Sequence, residues 1–176
     1  RCKELGGEVV VLGSSGACKA PEGFDKKKAG TQFIDFCRAL GPVADEIGID
    51  IAIEPLNSKE DNLILSVAHG IELVDAVKHP RIQLLADLYH MAEEKEDVAI
   101  VARAGSRLRH THVADIGRVA PGFAPQGEEN FIGFFRNLRK AGYDRRCSFE
   151  GKFDDIEKQS KPLLDLLKKR WSESAQ

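Results

Sequence analysis

Short apolar runs alternate along the chain with longer stretches in which apolar residues recur every three or four positions. Five runs carry a strand signature, rich in β-branched residues and bounded by turn formers. They are Glu8-Val-Val-Val-Leu-Gly13, Ile49–Ile53, Ile82–Ala86, Leu108–Val113 and Cys147–Phe149. Between them lie helical patterns. The first carries Phe33, Phe36, Cys37, Leu40, Val43, Ala44 and Ile47; Pro42 within it predicts a kink or the start of a second helix. The next carries Val67, Ile71, Val74 and Val77 and stops near His79-Pro80. After the third strand a helix is expected over about Asp97 to Ala104, with Gly105 as its stop. Phe131, Phe134, Phe135 and Leu138 mark another, and Ile156, Leu163, Leu164, Leu167 and Trp171 the last.

This strict β-α alternation predicts an α/β fold, a parallel sheet covered by helices. It leaves an open doubly wound sheet and a closed (β/α)8 barrel as alternatives. A barrel typically takes ~250 residues and at least ~200, whereas this chain has 176 and five units. Arg1 to Leu5 followed by Gly6-Gly7 reads as the end of a helix leading into a strand. The expectation is therefore a single domain over 1–176 that is N-terminally incomplete.

Composition narrows the function classes. A 42% hydrophobic, 31% charged chain is too apolar for disorder, and its net charge of -2 gives no electrostatic basis for nucleic-acid binding. No apolar run approaches the ~18 residues of a membrane span. Cys2, Cys18, Cys37 and Cys147 form no CxxC, which predicts small buried hydrophobes and a cytoplasmic protein.

The candidate chemistry lies where the strands end. Glu54, Asp87 and Glu150 each follow the C-terminal end of a different predicted strand, and His112 stands near the end of a fourth. In a parallel sheet or barrel those ends share one face, the one that carries active sites. Singly, each has an ordinary explanation: a loop charge, a helix N-cap, a structural histidine. Their recurrence in consecutive units points to a common centre. Three carboxylates and an imidazole suit a divalent ion, Mn²⁺ or Mg²⁺ first, with Co²⁺ and Zn²⁺ tolerated.

Glu54-Pro-Leu-Asn-Ser-Lys-Glu60, Asp87-Leu-Tyr-His90, His110-Thr-His112-Val-Ala-Asp-Ile-Gly-Arg118 and Ser148-Phe-Glu150 resemble the motifs of the xylose isomerase-like TIM barrel superfamily. Within it they are most similar to the D-tagatose and D-psicose 3-epimerase and hydroxypyruvate isomerase group. The resemblance covers about Glu8 to Glu150. It implies a (β/α)8 TIM barrel of which this chain holds the C-terminal five βα units, strands four to eight. It implies one divalent metal ion, with Mn²⁺ leading, on Glu54, Asp87, His112 and Glu150. It implies substrate-binding roles for Glu60, His90 and Arg118. The first three βα units of the family have no counterpart here.

The expected activity is a metal-dependent isomerase or epimerase of a ketose or small hydroxy-carbonyl sugar. Glu54 and Glu150 would be the catalytic pair, removing and returning a proton through a metal-stabilised enediolate. Whether the proton returns to the same carbon or its neighbour separates epimerisation from isomerisation, and the sequence leaves both open. Asp115 reads more readily as a solvated loop carboxylate than as a group supporting the site. The expected partner is a small sugar, with no nucleic acid and no membrane, in a homo-oligomer. Two alternatives stand: an apurinic-site endonuclease-like metal hydrolase of the same superfamily, and a catalytically incomplete barrel fragment. The nuclease needs further His and Asp ligands after the fourth strand, and Asp115 to Asn130 contains no His.

Overall fold

The computed structural model describes residues 1–176. Five strands, β1 (Val9–Leu12), β2 (Asp50–Ile53), β3 (Ile82–Asp87), β4 (Leu108–Val113) and β5 (Cys147–Phe149), pair in parallel in chain order. Consecutive neighbours joined by helical crossovers are the barrel arrangement, and the sheet is a partial TIM barrel rather than a doubly wound sheet. β1 and β5 are bonded on one side only.

The helices are α1 (Ser15–Cys18), α2 (Lys26–Ile47), α3 (Val67–Val77), α4 (Leu88–Glu93), α5 (Ile100–Ala104), α6 (Phe131–Lys140) and α7 (Ile156–Glu173). One apolar core of 24 buried residues joins them to the sheet, with Ile51, Ile53, Ile82, Leu84 and Val113 facing Phe33, Val74, Phe131 and Phe134. No helix is long and apolar enough to cross a membrane. Residues 1–7 form one hydrogen-bonded turn closed at Gly6 (φ 77°), where the Gly7 N–H reaches the Cys2 carbonyl at 2.9 Å, the geometry of a helix end.

Three expectations need correction. α2 is a single helix running through Pro42. Its buried face, Ala29, Phe33, Cys37, Gly41 and Ala44, stays on one stripe, and Gly41 packs so close to the His79 ring that a Cβ would overlap it. After β3 there are two short helices rather than one. α4 begins directly after Asp87, whose Oδ1 accepts the Tyr89 and His90 N–H groups at 2.7 and 3.4 Å; its six residues make fewer than two turns, too few for a repeating apolar pattern. The cysteines are not uniformly buried: Cys37 is, Cys2 and Cys18 are half-buried, and Cys147 on the outer strand β5 is exposed.

Candidate active site

Backbone pairing carries the acidic residues to one rim. The Glu54 N–H bonds the Leu12 carbonyl and the Glu150 N–H bonds the Val113 carbonyl, each at 3.1 Å, so each extends its ladder one residue past its strand. Pro55 also holds Glu54 in extended backbone. An irregularity in register between Leu84 and Leu85 brings Asp87 opposite His112.

The four residues meet. His112 Nδ1 lies 2.8 Å from Glu54 Oε1, 3.5 Å from Glu150 Oε2 and 3.7 Å from Asp87 Oδ2. Glu54, Asp87 and His112 are buried. Asp87 is both the helix cap and a member of the cluster: Oδ1 caps α4, while Oδ2 is buried with no hydrogen-bond partner. An orphaned carboxylate oxygen facing two other carboxylates fits a cation-binding role, and the oxygen-rich set with one imidazole fits a divalent ion. Glu54, Asp87, His90 and Glu150 also offer ligand atoms within 4.8 Å of one another, so both imidazoles border the cluster.

Electrostatics follow from this crowding. Burial, reinforced by Asp87 and Glu150, raises the Glu54 carboxyl despite its bond to His112. Burial opposes the His112 cation, yet the close carboxylates of Asp87, Glu150 and Glu54 lift it to about 11. His112, then Arg118, pull Glu150 down to about 2.

The three substrate-binding candidates lie on the same rim and are linked. Arg118 bonds Glu150 Oε2 at 2.6 Å and both Glu60 oxygens at 3.2 and 3.3 Å, with its guanidinium 5.3 Å from the Tyr89 ring centre. It stands in left-handed backbone (φ 61°) after Gly117, and its carbonyl accepts the Lys152 N–H. A Cβ on Gly151 would come 2.6 Å from that carbonyl, so the chain after Glu150 closes tightly on Arg118. His90 is buried in α4, and its Nε2 has no partner. His110 Nε2 pairs with Ser148 Oγ at 2.9 Å, a satisfied structural histidine.

Asp115 differs from its expectation. It is fully buried, and its carboxylate accepts the N–H groups of Ile116, Gly122 and Glu129 at 3.0, 2.9 and 2.8 Å. The loop from Ile116 to Glu129 folds around it, which sets the turn that presents Arg118. Two further residues carry no sequence signal. Gly13 lies against Glu54: a Cβ there would overlap the carboxylate and stand 2.9 Å from the Glu54 Cβ. Asn57 is fully buried between Glu60 and His90. A cavity of about 670 Å³ is lined by Glu8, Val9, Arg109, His110 and Ser148 and includes none of Glu54, Asp87, His112 or Glu150.

Residues 1–170 match the family described as xylose isomerase-like TIM barrel. The D-psicose 3-epimerase of Ruminiclostridium cellulolyticum is 32% identical over 121 residues, 68% of this chain and 40% of its own length. The 3-dehydro-D-guloside 4-epimerase of Escherichia coli is 30% identical over 119 residues, 67% of this chain and 44% of its own. The apo crystal structure of an E. coli 3-keto-D-glucoside 4-epimerase superposes with a TM-score of 0.84 at 25% identity, covering 96% of this chain and 66% of that one. The chain thus spans about two-fifths of the length of the curated relatives it matches. Its parallel half-barrel and its match over nearly every residue lead to one assignment: this chain belongs to the xylose isomerase-like TIM barrel family.

Proposed function

We propose that the protein is a divalent-metal-dependent sugar epimerase or isomerase acting on a ketose or small hydroxy-carbonyl sugar. The observation that carries this reading is the meeting of Glu54, Asp87, Glu150 and His112 on the strand C-terminal rim, with Asp87 Oδ2 left unpaired. The names of the relatives, epimerases of ketoses and keto-glycosides, support the substrate class. A divalent ion would be held by Glu54, Asp87, His112 and Glu150, and when bound it supplies Lewis-acid polarisation of a carbonyl.

The remaining chemistry belongs to the chain. A proton on carbon beside a ketose carbonyl is weakly acidic, so its removal needs a positioned base. Glu54 and Glu150 rise from β2 and β5, with β3 and β4 between them, and so approach a bound sugar from different sides. One carboxylate takes the proton and the other delivers one to the opposite face, which inverts the carbon; return to the adjacent carbon would isomerise instead. His90 and Arg118 donate hydrogen bonds to sugar oxygens where charge develops. Glu60, held by Arg118 and Asn57, accepts from a hydroxyl. A nuclease reading has less support, because Asp115 spends its carboxylate on three backbone N–H groups.

The test is interconversion of C3-epimeric ketoses. Turnover is expected with Mn²⁺ present, lost on chelation and restored by adding the ion back. Turnover that persists in metal-free protein would refute the metal dependence.

A further inference from the structure

The second imidazole at the rim, His90, is fixed by a neighbour whose role the motifs do not disclose. The backbone N–H of Asn57 points at His90 Nδ1 from 3.1 Å. A backbone N–H can only donate, so Nδ1 must offer its lone pair. The Asn57 side chain repeats the instruction. Its Oδ1 accepts the Lys59 N–H at 3.0 Å, which fixes the amide orientation; its Nδ2 then donates to Glu60 Oε1 at 3.0 Å and faces His90 Nδ1 at 2.8 Å. Two donors directed at one ring nitrogen exclude both the Nδ1–H tautomer and the doubly protonated ring, leaving the proton on Nε2.

That Nε2 is buried, without a partner, and 4.0 Å from the equally unpartnered Oδ2 of Asp87. An N–H has no lone pair for an ion. It can serve an oxygen that enters the space beside Asp87.

We propose that Asn57 is a positioning residue that locks His90 as the Nε2–H tautomer through both its backbone and side-chain N–H groups. His90 is thereby a hydrogen-bond donor to a substrate oxygen, and His112 the imidazole available to the ion. The inference rests on the reading of this rim as a metal-dependent sugar site, but its test requires no turnover.

The experiment is long-range ¹H–¹⁵N correlation on protein labelled with ¹⁵N-histidine, with His90 assigned by comparison with His90→Gln. The expected spectrum has an unprotonated Nδ1 and a protonated Nε2 on His90. Added Zn²⁺, chosen as a diamagnetic probe, should shift the His112 ring and leave the His90 Nε2–H in place. Asn57→Ala keeps the backbone donor and should keep the tautomer. Asn57→Asp sets a carboxylate oxygen against Nδ1 and should bring a proton onto it. A proton on Nδ1 in the unmutated protein would overturn the proposal, as would loss of the Nε2–H on adding Zn²⁺. An unchanged tautomer in Asn57→Asp would overturn the part assigned to the side chain. Absence of epimerase activity would refute the proposed function while leaving these spectra as they are.

Discussion

Strand β2 carries a carboxylate at each end, and the fold treats the two in opposite ways. Asp50, at the start, accepts from Arg81 at 3.1 Å and pairs with Arg109; Arg81 also holds Asp45, and Arg109 lies near Glu8. Asp45, Asp50 and Glu8 each meet a guanidinium there. Glu54, four residues on, meets two more carboxylates and a single imidazole. The strand, sheet and residue class are shared, and only the neighbours differ. A paired charge such as Asp50 has a structural explanation within the chain. The three carboxylates around Glu54 are only partly offset by His112 and Arg118, and like charges disfavour one another in low dielectric. Under the proposed function, a divalent cation supplies the balance.

That contrast can be broken from the functional end first, with the largest effect. Glu150→Gln keeps one oxygen as a possible ligand but removes a proton acceptor, and steady-state kinetics should show turnover reduced by about 10²–10⁴-fold. Unchanged turnover would remove Glu150 from the catalytic pair. Next in size, Gly13→Ala forces the Glu54 side chain out of its place across the β1–β2 ladder. Displacing one ligand should weaken Mn²⁺ binding by about 10–100-fold in a direct titration, an effect comparable to disturbing the groups that orient a metal ligand. Smallest for the site is Asp50→Asn, which takes one carboxylate partner from each of Arg81 and Arg109. Denaturant unfolding should show a loss of about 1–3 kcal/mol, with Mn²⁺ affinity unchanged. A fall in metal affinity there would mean the two ends of β2 are not independent.

The parts of this site that were legible in the sequence are those fixed by strand periodicity. Glu54, Asp87, His112 and Glu150 stand where apolar runs end, and in a parallel sheet those positions share a rim. Glu60, His90 and Arg118 are implied by the family resemblance of the motifs, and they lie on that rim. The features left unread depend on proximity across the fold. Gly13 matters because of an atom on the neighbouring strand, and Asn57 partly because of its backbone N–H, which every non-proline residue has. Asp115 looked solvated because it sits in a Gly- and Pro-rich stretch, but that stretch wraps around its carboxylate. α4 leaves no signal in the sequence because six residues cannot show a period of 3.6 convincingly, and its N-cap, Asp87, is also a candidate ligand. Pro42 allows either a kink or the start of a second helix; the second helix does not form, because α2 packs one continuous stripe of small and apolar residues through it.

The central claim is that Glu54 and Glu150 move a proton on and off carbon at this rim. Its most direct test is exchange with solvent: a ketose incubated in D₂O with the protein and Mn²⁺, followed by NMR. Deuterium should enter at the carbon beside the carbonyl, dependent on the ion and absent in Glu150→Gln. Conversion of the sugar with no deuterium incorporated, or incorporation undiminished in Glu150→Gln, would contradict that claim.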